Sequence, residues 1–574
     1  MKGIIASPGI AIGTAFVLSH KEAVIDDALL TSKVQCDEEE QKFRKALVST
    51  EEQLNEIIVI TGQRLSEKEA DVFRAHLMML SDPMLEESVV DKIHNGKKNA
   101  AKAVKEATVE IAGILASLDD EYMRERAADV KDVGGRLLDN ITGNTRVSLN
   151  DLREQVVVFA NDLTPSDTAT MDMNYIKGFV TEVGGRTSHT SIIARIMGLP
   201  AIVGTGDILS RVKQGDKVIL DAIDGEVFVN PTAAESAAAS VKNEKYLAHK
   251  LELDKVKLLS AETKDGHKVE IVGNIAAPGD VKGVLANGGE GVGLFRTEFL
   301  FMNSPELPTE DAQFEVYKEA AEALHGHPIV IRTLDIGGDK AAECISFPTE
   351  MNPFLGWRAV RMYFDRPDII KPQMRALLRA SAFGNVMVMY PMIISAEEIY
   401  KMDKIADECK AELRAEGKAF NEKMPLGTMV ETPASCLIAD KLAQIVDFFS
   451  IGTNDLTQYV LAVDRGNEMI SDLYQPLHPA VIRAMKMVID ASHKVGKWTG
   501  VCGELAGDER GAILLLGLGL DEFSMSASSI PTIKNLIRKA DLKKVKAAVE
   551  ECLEMFTSAE VVARIDKLLE EIYA

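Results

Sequence analysis

Eight β-like runs alternate with helical stretches in the C-terminal part of the chain, and nothing else in the sequence constrains the fold so tightly. They are "VEIVGNI" (269–275), "GVGLFRTEF" (291–299), "PIVIRTLDI" (328–336), "VMVMYPM" (386–392), "LGTMVETP" (426–433), "VDFFSIGTND" (446–455), "WTGVCGE" (498–504) and "DEFSMSA" (521–527). Their cores are nearly all apolar, as expected of parallel strands covered on both faces. Eight such strands separated by helices predict a (β/α)8 TIM barrel over 261–574. An open doubly wound sheet is the alternative.

Barrel chemistry collects at the C-terminal ends of strands. Those ends carry Asn274, Arg296, Arg332, Met392, Glu431, Asn454 with Asp455, Cys502 and Ser524. Charged residues can simply mark where strands stop. Arginines, carboxylates and a cysteine converging on one rim point instead to a site. Glu431 and Asp455 end adjacent strands and suit Mg²⁺, which takes one or two protein carboxylates and leaves other positions to water and substrate. Arg296 and Arg332 reach the rim, and Arg358 ("NPFLGWRAV") and Arg465 ("DRGN") lie just beyond strand ends. A guanidinium fork recognises phosphate or carboxylate; a structural ion-pair role is the alternative for Arg358 and, less so, for Arg465. Together these groups imply a small, densely anionic ligand. Cys502 is a candidate acid or nucleophile, against the ordinary reading of a buried thiol.

The first half has a different texture. Residues 1–20 read as strands around a Pro8-Gly9 turn. Residues 21–147 are helical, with Pro83 the only proline. Residues 148–230 return to short strands and close on "VILDAIDGEVFVN", a hairpin signal around Asp224-Gly225. The expected organisation is an α/β domain built from 1–20 and 148–230, a helical domain of 21–147 inserted in it, and an Ala- and Lys-rich helical linker over 231–260.

Composition narrows the partners. Lys+Arg minus Asp+Glu is 65 − 88 = −23, which disfavours nucleic acid and anionic membrane. No 18-residue apolar stretch predicts a membrane span. Six scattered cysteines without CxxC spacing argue against a disulfide framework or structural zinc, so the expected location is the cytoplasm.

One histidine stands apart. In "GGRTSHTSIIAR" (184–195), His189 sits where an apolar helix begins, behind two glycines and a Thr-Ser pair. Thr187 or Ser188 can cap that helix, and Gly198 and Pro200 end it. A lone histidine usually packs or decorates a surface. At a helix mouth, a phosphoryl group on it would meet free N–H groups and the positive end of the dipole.

The motifs "GGRTSHTSIIAR", "GLFRTEFLFM", "IRTLDIGGDK", "NPFLGWRA", "MVETPAS", "FFSIGTNDLTQY", "VDRGN" and "GVCGELAGD" resemble those of the Enzyme I family. These are the phosphoenolpyruvate–protein phosphotransferases of bacterial sugar phosphotransferase systems, within the PEP-utilising enzymes. The resemblance spans essentially the whole chain. It implies that His189 is phosphorylated by phosphoenolpyruvate (PEP), that Glu431 and Asp455 bind Mg²⁺, and that Arg296, Arg332, Asn454, Asp455 and Arg465 bind PEP. Cys502 becomes the proton donor. The helical insertion would dock the phosphocarrier protein HPr; its acidic stretch "SEKEADVFRAHLMMLSDPMLEE" contains His76 and is interrupted by Arg74, and no individual contact is implied. A homodimer formed through the barrel is a further expectation. Because one histidine must serve both PEP and HPr, its domain should swing on hinges near 145–148 and around 231–260. Pyruvate phosphate dikinase-like enzymes share the histidine domain and barrel but add an ATP domain, for which this sequence has neither the length nor a phosphate-loop signature. A non-catalytic PEP sensor is the other alternative.

Overall fold

Runs of valine, isoleucine and phenylalanine become strands throughout, and glycines, prolines and capped turns set where they stop. The computed structural model describes all residues except 19–24, 65–66, 118–120, 145–148, 150–151, 165–166, 169–170, 173, 186–187, 303 and 339–341. The side chain of His189 also lies outside what is described, as do the expected boundaries at 20 and 148 and the hinge near 145–148. The chain divides into two compact units, Met1–His249 and Lys250–Ala574.

The first unit holds a seven-stranded mixed sheet. Its strands are β1 (Ile4–Ser7), β2 (Ile10–Val17), β3 (Val156–Ala160), β4 (Ile176–Thr181), β5 (Ala201–Val203), β6 (Lys217–Asp221) and β7 (Glu226–Val229), in the order β1-β5-β4-β3-β2-β6-β7. Both strands expected before residue 20 form, but they do not pair with each other. Gly9, at φ 141°, turns the chain so that β1 takes one edge and β2 pairs with β3 and β6. β6 and β7 form the hairpin signalled by Asp224-Gly225, with Gly225 at φ 72°. Apolar side chains cover both faces of the sheet, Phe179 and Ile193 in one cluster and Phe159 and Ile202 in another.

Between β2 and β3 the chain forms α1 (Lys33–Arg64), α2 (Glu67–Leu80), α3 (Pro83–His94), α4 (Ala100–Ala116) and α5 (Glu121–Thr142). Pro83 opens α3, where its missing N–H costs nothing, and the Asp82 side chain caps Met84 N at 2.9 Å. The helices enclose their own core around Phe43, Leu54 and Leu137. α6 (His189–Met197) follows β4, and α7 (Ala233–Val256) leaves the sheet. Thr232 and Glu235 cap α7 reciprocally, and Lys242 anchors it to the hairpin through Asp221 at 2.5 Å and Asp224 at 2.7 Å.

The second unit is a closed parallel barrel, as the eight-run pattern predicts. Its strands are β8 (Glu270–Ile275), β9 (Val292–Arg296), β10 (Pro328–Arg332), β11 (Asn385–Tyr390), β12 (Leu426–Val430), β13 (Phe449–Ile451), β14 (Thr499–Val501) and β15 (Glu522–Met525). Seven lie within their expected runs, and β11 starts one residue before its run, at Asn385. β15 pairs with β8 in parallel register, Phe523 opposite Ile271, which closes the ring. Leu294, Val330, Met389, Met429 and Phe448 pack together with Cys502, and a larger core separates the strands from the surrounding helices. No helix among the described residues is long and apolar enough to cross a membrane.

Each unit owns its core, so heat should unfold them in separable steps. Phe179→Ala should lower only the transition of the first unit and Phe523→Ala only that of the second, each by about 3–5 kcal/mol of lost packing. Differential scanning calorimetry checks this; one transition shifted equally by both substitutions would contradict it.

Candidate active site

Six of the nine residues expected at the strand ends line one cavity. It has a volume of about 400 Å³ and is walled by Arg296, Arg332, Glu431, Asn454, Asp455, Arg465 and Cys502. Arg296 and Arg332 are the last residues of β9 and β10, and Glu431 directly follows β12. Asn454 and Asp455 differ from expectation: β13 stops at Ile451, and both residues stand in the first turn of the helix Thr453–Leu461. Gly452 allows this close approach, because a Cβ there would come within 2.8 Å of Glu431 Oε2. Three rim residues play other parts. Met392, held at φ 58°, offers its backbone N–H to Glu431 Oε1 at 2.6 Å. Ser524 donates to Asn274 Oδ1 at 2.6 Å, and Asn274 Nδ2 donates to the carbonyl of Cys502 at 3.1 Å.

Beneath the cavity lies a buried ion network that sequence reading missed. Arg332 contacts Glu298 and lies 3.0 Å from Asp335 Oδ2. Asp335 Oδ1 also accepts from Arg358 Nη2 at 2.8 Å, and Arg358 Nη2 approaches Asp455 Oδ2 at 3.4 Å. Arg358 is therefore a structural ion-pair residue, 1% exposed, the reading its sequence position left open. Burial works against the charge of Arg332 and Arg358, and the neighbouring carboxylates more than offset it, so both stay protonated. Arg465 Nη1 lies 3.7 Å from Asp455 Oδ1. Arg296 differs from these arginines: its side chain makes no hydrogen bond or ion pair among the described residues and lines the cavity.

The surroundings work against ionisation of two groups. Burial first, then Asp455 and Asp335, raise the pKa of Glu431, while Arg332 and Arg358 oppose the rise. Burial pushes the Cys502 thiol up to about 11, so it keeps its proton across the neutral range.

The His189 turn belongs to the first unit. Ser188 caps α6, its side chain accepting from Ser191 N at 3.3 Å. The Ser188 and Ser191 hydroxyls donate to Gly185 O at 2.9 and 2.7 Å, which pins the turn. Gly184 takes φ 112°, and Gly198 ends the helix at φ 64°. His189 is the first helical residue, and Arg186 and Thr187 before it lie outside the described residues. His76, in the acidic stretch of the helical segment, is fully buried; Nε2 stands 3.2 Å from Asp129 and the ring meets Phe73 edge-on.

Comparison with known proteins agrees across the chain. Residues 250–542 match the model for the PEP-utilising enzyme PEP-binding domain, 152–225 the mobile domain, and 2–126 the N-terminal domain of the same enzymes. A phosphoenolpyruvate-protein phosphotransferase of Haemophilus influenzae is 50% identical over 571 residues, covering 100% of this chain and 98% of its own length. Proteins of the same name from Buchnera aphidicola and Listeria monocytogenes are each 46% identical, covering 99% and 100% of this chain and 100% and 99% of their own lengths.

Asp335 is the keystone of the buried network. Asp335→Ala should leave Arg358 and Arg332 under-compensated and cost about 3–5 kcal/mol. Urea unfolding of the barrel would register this as a lower midpoint; an unchanged midpoint would mean that Asp335 does not hold the arginines.

Proposed function

Because the chain belongs to the phosphoenolpyruvate–protein phosphotransferases, we propose that it moves the phosphoryl group of PEP to His189 and then to a histidine of HPr, the first step of sugar uptake by a phosphotransferase system. The observation that carries this reading is the meeting of three arginines, the carboxyl groups of Glu431 and Asp455 and a protonated thiol around one cavity. PEP brings the matching groups: a phosphate, a carboxylate and a carbon that must be protonated once the phosphate leaves.

The residues divide the work. Arg296, Arg332 and Arg465, with Asn454, bind the phosphate and carboxylate oxygens; Arg296 has no carboxylate to give up first. Neutral His189 attacks the phosphorus in line, the bond to the enolate oxygen breaks, and positioning supplies most of the rate. Cys502 then passes its proton to the methylene carbon of the enolate, giving pyruvate, and the thiolate is reprotonated from solvent. A thiol held at about 11 still carries that proton at neutral pH. Glu431 and Asp455 fit a divalent ion. Asp455 Oδ1 is buried without a hydrogen-bond partner, and no cluster of three or more His, Cys, Asp or Glu able to hold a metal occurs among the described residues, so substrate and water oxygens would complete the shell. Mg²⁺ bound there would supply Lewis-acid stabilisation of the phosphoryl and enolate oxygens.

Four segments carry the cycle: a phosphohistidine domain of 1–20 and 148–230, an inserted HPr-binding domain of 21–147, a helical linker of 231–260, and a PEP-binding barrel of 261–574 that also forms a homodimer. In the helical segment a cleft of about 390 Å³, lined by Met79, Met84, Ile111, Leu115 and Arg126, offers HPr an apolar seat with a cation at its side. The histidine domain swings between barrel and cleft. The setting is the cytoplasm, where PEP and HPr meet.

Incubation with PEP labelled in its phosphoryl group tests the reading. An acid-labile, alkali-stable phosphohistidine should form, and should vanish in His189→Ala and on chelating divalent ions. Label retained at the same rate in His189→Ala would overturn the assignment, and ligand binding without any turnover would favour a PEP sensor.

A further inference from the structure

The opposite mouth of the barrel, at the beginnings of the strands, holds a second cavity of about 640 Å³ that the phosphotransfer reaction does not use. Its wall is acidic: Glu270 and Glu522, the first residues of β8 and β15, are joined by Glu290 and Asp521. An acidic wall is ordinary on a chain of net charge −23. Glu522 is not ordinary. It lines the cavity yet is only 3% exposed, and its carboxyl makes no hydrogen bond or ion pair among the described residues. Gly500 on the neighbouring strand makes room for it, since a Cβ there would fall 2.7 Å from Glu522 Oε1.

The surrounding groups do not satisfy it. Asp521 is already engaged, with His493 Nε2 and with Thr499 N, both at 2.8 Å. Glu290 accepts only a long bond, 3.4 Å, from Ile271 N. Lys268 is the cation in the wall, and its Nζ lies 3.7 Å from Glu262. The carboxyl of Glu270, like that of Glu522, makes no hydrogen bond or ion pair with any described residue. Burial, reinforced by Glu270 and Asp521, lifts the Glu522 carboxyl to about 8. A buried acid without a partner is costly, and a cation entering the cavity would relieve that cost. The rest of the wall favours an organic cation over a hydrated metal ion. Trp498, stacked on Phe448 at 4.6 Å and 1°, lines the cavity with Val269 and Met387, and no set of three or more metal-ligating side chains forms there among the described residues.

We infer that the N-terminal mouth of the barrel binds a small organic cation, a flat apolar body bearing an amidinium or guanidinium group. The planar fork of donors meets the Glu522 carboxylate in two parallel hydrogen bonds. The apolar body lies along Trp498, where a cation also gains from the indole face. Glu270 at the rim adds attraction without direct burial. The site stands at the other end of the barrel from the phosphoryl chemistry and does not depend on it.

Benzamidine serves as the probe, with benzamide as its neutral counterpart. The chain has two tryptophans, Trp357 and Trp498, so W357F makes Trp498 the only reporter. Titrating full-length W357F with benzamidine should change the emission of Trp498 saturably, and benzamide should leave it flat. Adding E522Q should weaken benzamidine roughly tenfold or more, the expected cost of losing a charged hydrogen-bond partner. Glutamine keeps the shape of the protonated acid, so the fold should persist; should it fail, E270Q at the rim replaces it, with an expected weakening of about threefold. No saturable response, equal affinity for benzamide, or unchanged affinity in E522Q (or in E270Q where it stands in) would each overturn the inference.

Discussion

Asp335 holds two arginines at once beneath the cavity. Arg332 and Arg358 converge on it at 3.0 and 2.8 Å, and Glu298 and Asp455 take the remaining sides. Buried guanidiniums are expensive unless paired. This barrel pairs them so that the fork of Arg332 is fixed before any ligand arrives. The strand ends can therefore present positive charge to an anion although the chain as a whole carries −23.

Preorganisation of this kind suits phosphoryl transfer, in which the protein makes few covalent bonds and mostly positions charge. The arginines differ in what each can give. Arg332 is held on two sides, whereas Arg296 is unpartnered among the described residues and can turn wholly to the ligand. Glu431 and Asp455 sit on two successive strand–helix junctions brought together by Gly452, and burial first, then the nearby Asp455, raise the cost of ionising Glu431 until positive charge is supplied. The same burial keeps the proton on the sulfur of Cys502, which suits the donor role proposed for it.

Much of this was legible in the residues. The barrel followed from eight apolar runs at regular spacing, because a parallel sheet covered on both faces leaves that imprint. The places of Arg296, Arg332, Glu431 and Cys502 at the cavity followed from reading strand ends, where polar groups replace valine and isoleucine. Pairing was harder to see. Asp335 stands three residues after Arg332 in "IRTLDI", and Glu298 two after Arg296 in "FRTEF". Their partners are set by which strands become neighbours and how far each runs, and single-strand patterns do not encode that. Asn454 and Asp455 were read as strand termini because "FFSIGTND" is continuous in β-like character up to Gly452. A helix N-terminus begins there instead. In the first unit, Pro8-Gly9 signalled a turn but not its consequence: β1 and β2 lie three strands apart in order, a matter of long-range pairing.

The central claim is that the barrel cavity acts only in the PEP half of the reaction, and that the histidine-bearing unit completes the HPr half by itself. The most direct measurement compares both half-reactions in full-length Asp455→Ala: labelling of His189 from PEP, and labelling of His189 in reverse from phosphorylated HPr. The account predicts that the first is lost, by about a thousandfold or more as expected if Asp455 holds the divalent ion as proposed, while the second proceeds at the wild-type rate. Equal loss of both in a folded protein would contradict it.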